Sequence, residues 1–308
     1  MTASEVGTTL PDRRRHAWRE DLAAAELEGT VPAPQFVEGV PARVSWSAIA
    51  LRRAPSGGEA FETEALFGER VTVFDEADGW AWVQLARDRY VGYVPRDALS
   101  FEVVEATHRV QALGTFVYPR PDIKAPPIVH LPLGAEIAVK SADARFAELA
   151  TGGFVILRHI CERSWFARDF VDVAERFIGV PYLWGGRTRM GLDCSGLVQI
   201  ALEAAGVPCP RDSDMQEAEL GSAVLVPSDL EGLARGDLVF WPGHVGMMVD
   251  SVMLLHANAF HMAVTVEPLG LAAERIARQD EGGSHIRSIR RLDRLSAMTE
   301  AGPVKATL

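Results

Sequence analysis

The chain has 308 residues, long for one compact core, and is ordinary in make-up, with 48% hydrophobic and 24% charged residues. A formal net charge of −11 excludes binding to nucleic acid or to an anionic wall polymer through bulk electrostatics, and leaves small ligands open. The three cysteines, Cys161, Cys194 and Cys209, form no disulfide framework and carry no metal spacing, which agrees with a reducing compartment and a protein without a metal or other cofactor.

The amino terminus, Met1 to His16, holds no apolar h-region, and no later run is long enough to span a bilayer, so the expectation is a cytoplasmic chain with no membrane partner. Residues 1–35 are charged and Ala-rich, with a helical turn or two expected over Asp21 to Glu28 and no chemistry. Over 36–104 the pattern changes to short β runs, among them Arg70-Val-Thr-Val-Phe, Trp80-Ala-Trp-Val-Gln-Leu and Tyr90-Val-Gly-Tyr-Val-Pro, spaced as in a small barrel. A weaker copy occupies 105–160. Phe67-Gly68 aligns with Leu133-Gly134, Val71 with Ile137, Trp80 with Phe146, and Gly92-Tyr-Val with Gly153-Phe-Val. Such a repeat is better explained by two sequential modules than by one larger barrel, with His159 to Ser164 as the linker beyond them.

Ser164 then caps an expected helix with apolar positions Phe170, Val173, Ala174, Phe177 and Ile178, stopped at Gly179 and Pro181. The stretch from Tyr182 to Gly196 carries a glycine-rich approach into Asp193-Cys194-Ser195, and Leu197, Val198, Ala201 and Ala204 continue at helical spacing up to Gly206. Cys194 is thereby placed in the first helical turn. There unpaired N–H groups and the helix dipole favour thiolate, so a lowered thiol pKa and a nucleophile are expected. Tyr182 is positioned to aim a hydroxyl at the same place. Next, Arg211 reads equally as a carboxylate clamp or as a surface arginine, and Ser213 with Gln216 has the capping-box spacing. Gly236 to Asn258 reads as an antiparallel meander with His244 opening its second run and His256 closing its third, a base and an orienting group for the thiol. Ser284 to Leu292 reads as an edge strand, and residues 296–308 as a frayed tail.

The blocks Pro181-Tyr182-Leu-Trp184-Gly185-Gly186, Asp193-Cys194-Ser195-Gly196-Leu197-Val198, Gly236-Asp-Leu-Val-Phe and Gly243-His244-Val-Gly, in that order, resemble the NlpC/P60 family of cell-wall cysteine peptidases over about 165–295. The resemblance implies an α+β, papain-like catalytic domain, here preceded by two small SH3-like (SH3b) β-barrels. It makes Cys194 the nucleophile, His244 the base and His256 the orienting residue. Members with SH3b modules and no signal peptide resemble γ-D-glutamyl-L-diamino acid endopeptidases that recycle murein peptides. The partner implied is a short L-Ala-γ-D-Glu-diamino acid peptide with a free amino terminus. The Cys194 N–H is expected in the oxyanion site, with Gly185 and Gly186 allowing close approach. For the substrate ammonium, Asp193 and a carboxylate of the loop Phe74 to Gly79, Glu76 or Asp75, are the candidates, with Tyr90 or Tyr93 as a wall. Ser195 inherits a substrate-binding role from the motif. Rival readings are an amidase or acyltransferase on the same scaffold, and a binding protein whose cysteine site is idle.

The meander carries one geometric condition. A two-residue turn at Asp250-Ser251 would send the two imidazoles to opposite faces, since a one-residue shift of register reverses every side chain. An odd loop is therefore expected, Val249-Asp250-Ser251 with Met248 opposite Val252, or else a bulge, so that His244 directly faces His256.

Overall fold

The computed structural model describes residues 10–226, 229–279 and 285–292, in two compact units, Met1–Glu105 and Ala106–Leu308. The expected tail at 296–308 and the segment 1–9 lie outside the described residues.

The first unit is an SH3-like, β-rich body. Strands β1 (Val40–Val44), β2 (Ala48–Arg52), β3 (Phe61–Leu66), β4 (Arg70–Ala77), β5 (Trp80–Leu85), β6 (Val91–Pro95) and β7 (Leu99–Ser100) form a seven-stranded antiparallel sheet in the order β3-β2-β6-β5-β4-β1-β7. Ala42, Leu51, Val71, Ala81, Val83, Leu85 and Val94 make its core. Strand β5 is buried almost throughout although its side chains must alternate. The reason is the segment 10–35, read from the sequence as an inert extension. Its Trp18, Leu22, Leu27 and Val31 cluster on Trp82, while the Arg15 carbonyl accepts a hydrogen bond from the Gln84 amide at 2.8 Å. The expected helix at Asp21 to Glu28 is a two-residue strand, Ala23–Ala24, and a short 3-10 turn, Ala25–Leu27. Pairing of Ala23 and Ala24 with Phe36 and Val37 holds it extended.

The second unit opens with small sheets whose succession parallels the first. Gly68 and Gly134 both take positive φ before the aligned Val71 and Ile137 strands. A 3-10 turn precedes the final strand in each copy, Arg96–Ala98 in one and Leu157–His159 in the other. The proposed linker is corrected here: Ile160–Glu162 is a strand paired with His108–Val110. This β-rich segment is fastened to the remainder of its unit by apolar and polar contacts. Leu133 enters the larger hydrophobic core, and Arg109 donates to the carbonyls of Glu203 and Ala204 at 3.4 Å, where a helix ends and a cation is favoured.

Helices α1 (Phe170–Glu175), α2 (Cys194–Ala204) and α3 (Ser213–Glu219) precede a six-stranded sheet. Its strands are β8 (Ser222–Val224), β9 (Leu238–Trp241), β10 (His244–Met248), β11 (Met253–Asn258), β12 (Ala263–Pro268) and β13 (Ser288–Arg291), in the order β8-β13-β9-β10-β11-β12, with α4 (Leu269–Gln279) after β12. The α+β class is as expected, but β13 lies inside the sheet, not at its edge. Two caps also differ. Asp169, not Ser164, caps α1 by accepting from Val171 N at 2.8 Å, and Ser213 is the first residue of α3, with Asp212 at the cap. Helix α2 packs Leu197, Val198 and Ala201 on Phe240, Val245, Met247 and Leu255 of one sheet face. Helix α4 packs Leu269 and Ala272 with Val239, Trp241, Met248 and Leu254 on the other. Burial on both faces is why β9 reads as a continuous apolar run.

Trp18 is 6% exposed in the cluster covering Trp82. Trp18→Ala should therefore cost the first unit about 3 kcal/mol or more, measured by chemical denaturation. A loss below about 0.5 kcal/mol, typical of a surface change, would show that residues 10–35 only lie along the sheet.

Candidate active site

Helix α2 begins where Asp193 caps it, its Oδ1 accepting from Gly196 N at 2.7 Å. The other oxygen accepts from Gly185 N at 2.8 Å and from the Arg211 guanidinium at 2.6 Å. Ser195 Oγ donates to Asp193 Oδ1 at 3.4 Å and accepts from Arg211 at 2.7 Å. One buried carboxylate thus ties together the glycine-rich loop, the helix start and the segment entering α3. Asp193 and Arg211 therefore hold one another: the carboxylate accepts from Gly185, Gly196 and Arg211, and the buried Arg211 forks onto Asp193 and Ser195. Gln216, read as a capping-box residue, instead donates to the carbonyls of Ser195 and Pro210, both at 2.9 Å.

Gly186 and Gly196, on either side of Cys194, serve close packing of chain on chain. A Cβ on Gly186 would fall 2.4 Å from the Gly191 carbonyl oxygen, and one on Gly196 would fall 2.3 Å from that of Gly186. They hold the loop against the helix start.

Cys194 is buried, with its sulfur against the backbone N–H groups of Val245 and Ser195. Val245 follows His244 directly. The thiol pKa runs opposite to expectation: burial, and then the neighbouring Asp193 charge, push it up to about 12 against the N–H groups and Arg211. The Tyr182 hydroxyl is near enough to Cys194 and Asp193 that their charges join burial in raising its pKa.

The histidines meet. His244 Nε2 lies 2.9 Å from His256 Nδ1. The ladder pairs Met247 with Leu255 and Met248 with Leu254, and Val249 N donates to Met253 O at 2.8 Å, so the loop is the odd one Asp250-Ser251-Val252. The Asp250 carboxylate closes this loop by accepting from Val252 N and Met253 N, both at 2.8 Å. The imidazoles therefore share a face as required, but as diagonal neighbours, because the register stands two residues from that expected. Gly246 lies between them. A Cβ there would come 2.8 Å from Leu254 and 3.2 Å from the Cβ of His256, so a bare position gives the rings their room.

Two residues not singled out in the sequence complete the line. Glu267 Oε1 accepts from His256 Nε2 at 2.8 Å, and Arg275 grips both Glu267 oxygens at 2.6 Å. The signal for Glu267 was its place near a strand end in a segment pairing with the His256 strand, which only the β11–β12 register reveals. Burial opposes ionisation of Glu267, but the bonds from Arg275 and His256 outweigh it and hold the carboxyl below the ordinary value. Burial drives the His244 pKa down to about 3, helped by the charges of His256 and Arg275 and opposed by Glu267. His256 is lowered too, by burial first, with Glu267 opposing. Burial thus favours the uncharged form of the thiol and of both imidazoles.

In the first unit, Tyr90 is a core residue, 2% exposed, and so forms no cleft wall. Glu76 pairs with Arg96 at 2.8 Å on the surface. A hollow of about 460 Å³ in that unit is lined by Arg19, Asp75, Trp80, Trp82 and Tyr93, so the second member of each expected pair faces it.

Residues 179–273 match the NlpC/P60 family, and residues 51–99 match the bacterial dipeptidyl-peptidase SH3 domain. By these matches the chain is a cysteine peptidase with an NlpC/P60 catalytic domain and an SH3-type module ahead of it. It is 28% identical to dipeptidyl-peptidase 6 of Lysinibacillus sphaericus, over 67% of this chain and 83% of that one. It is 27% identical to the γ-D-glutamyl-L-lysine dipeptidyl-peptidase of Bacillus cereus, over 68% and 70% respectively. A crystal structure of an NlpC/P60 family protein from Bacillus cereus shares the fold with a TM-score of 0.66 at 21% identity, covering 82% of this chain and 99% of that one.

A histidine held neutral in the folded state takes up a proton on unfolding once the pH falls below about 6.5. The unfolded state then binds more protons, so stability falls with falling pH from about 6.5 toward the folded value of about 3 for His244. The unfolding midpoint should drop between pH 7 and pH 5, by up to about 1.4 kcal/mol per pH unit for each such proton. His244→Gln should flatten that slope. A variant with the wild-type slope would mean that His244 is charged at rest.

Proposed function

We propose that this peptidase hydrolyses the bond between γ-D-glutamate and the L-diamino acid of short murein peptides that begin with a free L-Ala. The observation that carries the chemistry is the thiol at the start of α2, lying against the strand that begins with His244, with His256 and Glu267 in line behind that base. In this reading the Cys194 proton passes to His244 Nδ1 as Sγ attacks the amide carbonyl, since neither group is ionised at rest. His244 then protonates the leaving amine, and water releases the acyl-enzyme. The Cys194 N–H at the helix start is the oxyanion donor, with Tyr182, Ser195, Arg211 and Ser213 lining the substrate and Asp193 as the carboxylate for its ammonium. The substrate class is supported by relatives named γ-D-glutamyl-L-lysine dipeptidyl-peptidase, because release of a dipeptide is counted from a free chain end. Among the described residues no helix is long and apolar enough to cross a membrane. None of the three cysteines is in a disulfide, which suits a reducing cytoplasm and murein fragments already taken up.

Incubation with L-Ala-γ-D-Glu-diaminopimelate and with its lysine counterpart should release L-Ala-D-Glu from at least one. Cys194→Ala should remain folded and abolish release, whereas Cys209→Ala should retain it. Acetylating the L-Ala amine should lower kcat/KM at least ten-fold through loss of a charge-assisted contact worth about 1.5–3 kcal/mol. Release of the diamino acid by Cys194→Ala at the wild-type rate would overturn the nucleophile. Equal cleavage of free and acetylated peptides would overturn the requirement for a free amine.

A further inference from the structure

A histidine in the orienting position poses a problem that a carboxylate there would not. A carboxylate only accepts, so the base facing it must donate. A neutral imidazole donates at one nitrogen and accepts at the other, and either tautomer serves. His256 by itself therefore cannot dictate which nitrogen of His244 carries the proton. If His256 were protonated on Nδ1, it would donate to His244 Nε2, and the His244 proton would then sit on Nδ1, leaving no lone pair for the thiol.

The group behind His256 removes this ambiguity. Arg275 donates to both Glu267 oxygens at 2.6 Å, and its guanidinium lies 4.5 Å from the Phe260 ring, so the carboxylate is clamped from the side away from the histidines. Glu267 Oε1 is left to accept from His256 Nε2 at 2.8 Å, in a place where the His256 side chain has no exposure to water. We propose that Glu267, clamped by Arg275, is a positioning residue that sets the direction of the whole hydrogen-bonded line and so keeps His244 Nδ1 unprotonated toward Cys194. The proton count starts at the carboxylate end. Glu267 carries none, so His256 Nε2 carries one. His256 Nδ1 is then bare and accepts, so His244 Nε2 carries one and His244 Nδ1 is bare. No bond is made or broken in this assignment, and no reactant is needed.

The inference rests on the reading of His244 as the base, and the experiment separates the two. The charged groups facing the line are Arg275 from α4, Glu267 from β12 and His261 from the turn before it, whose Nδ1 is 3.9 Å from Glu267. The probe is the full chain labelled with ¹⁵N at histidine, with ring nitrogens assigned through His244→Gln and His256→Gln. At neutral pH both rings should be Nε2–H tautomers in the wild type. In Glu267→Gln the amide must set a donor against either Arg275 or His256, so His256 should shift toward the Nδ1–H form. In the tripeptide assay kcat should then fall at least ten-fold with KM within about three-fold. The acid limb of kcat/KM should move to lower pH, since the carboxylate that favours protonated His244 is gone. His244 found as the Nδ1–H tautomer in the wild type would overturn the proposal without any variant. So would a folded Glu267→Gln enzyme with wild-type kcat and unchanged ring signals. If Cys194→Ala and His244→Gln also remain active, the reading of the site itself fails, whereas if those two are inactive and Glu267→Gln is not, only the role of Glu267 fails.

Discussion

The constraint on which the site depends is the buried carboxylate of Asp193. It caps the helix that presents Cys194, receives the N–H of Gly185 from the preceding loop, and is paired with Arg211 from the segment that leads into the next helix. A buried ion pair of this kind contributes little net stability over an apolar replacement, but removal of one partner leaves the other charged, desolvated and unpaired, at a cost of about 3–5 kcal/mol. The node is better understood as fixing geometry. Three chain segments have to converge on one small volume, and one carboxylate gives each of them a partner that no water can replace.

The same carboxylate is partly responsible for the resting state of the thiol. A helix start favours thiolate through its free N–H groups, but Asp193 takes one of them and adds a negative charge next to Cys194. Burial and that charge together outweigh the dipole, so the reading from helix position alone has the wrong sign. Burial disfavours the charged form of His244 as well, so in the proposed reaction thiol and base stay uncharged until a substrate carbonyl accepts the electron pair. Proton transfer and attack are then coupled, and a desolvated site is spared a standing ion pair.

What the sequence made legible was local. The Cys194 helix, the meander with its two histidines and the strands of the first unit depend on spacing within a dozen residues, and they stand where expected. The parity of the loop between the histidines was also legible, because side-chain alternation admits no other solution; its register was not, because the Asp250 side chain, not the hydrophobic pattern, decides where the turn closes. Missing from the reading were groups whose roles depend on distant partners. Trp18 matters because Trp82 lies under it, Glu267 because the β11–β12 register brings it to His256, and Tyr90 belongs to a core that only the closed sheet defines. Arg211 illustrates the same limit: its type suited a carboxylate, and it holds one, but the carboxylate is the protein's own.

The two faces of the six-stranded sheet explain why His244, the proposed base, stands where it does. Side chains alternate along β10 and β11, so Val245, Met247 and Leu255 point toward α2 and Cys194, whereas Met248, Leu254 and therefore His256 belong to the side covered by α4. Nucleophile and orienting line thus lie on opposite sides of one sheet, and a residue in mid-strand reaches only one of them. His244 is the first residue of β10, directly after the Pro242-Gly243 turn and paired with Trp241, where the sheet ends. Its ring bonds His256 on one side, while the next backbone N–H, that of Val245, meets the Cys194 sulfur on the other. The alignment of the reacting groups is accordingly a property of sheet register. A change that slips β10 by one residue relative to β9 would leave every element of the fold in place and still carry the base away from the thiol.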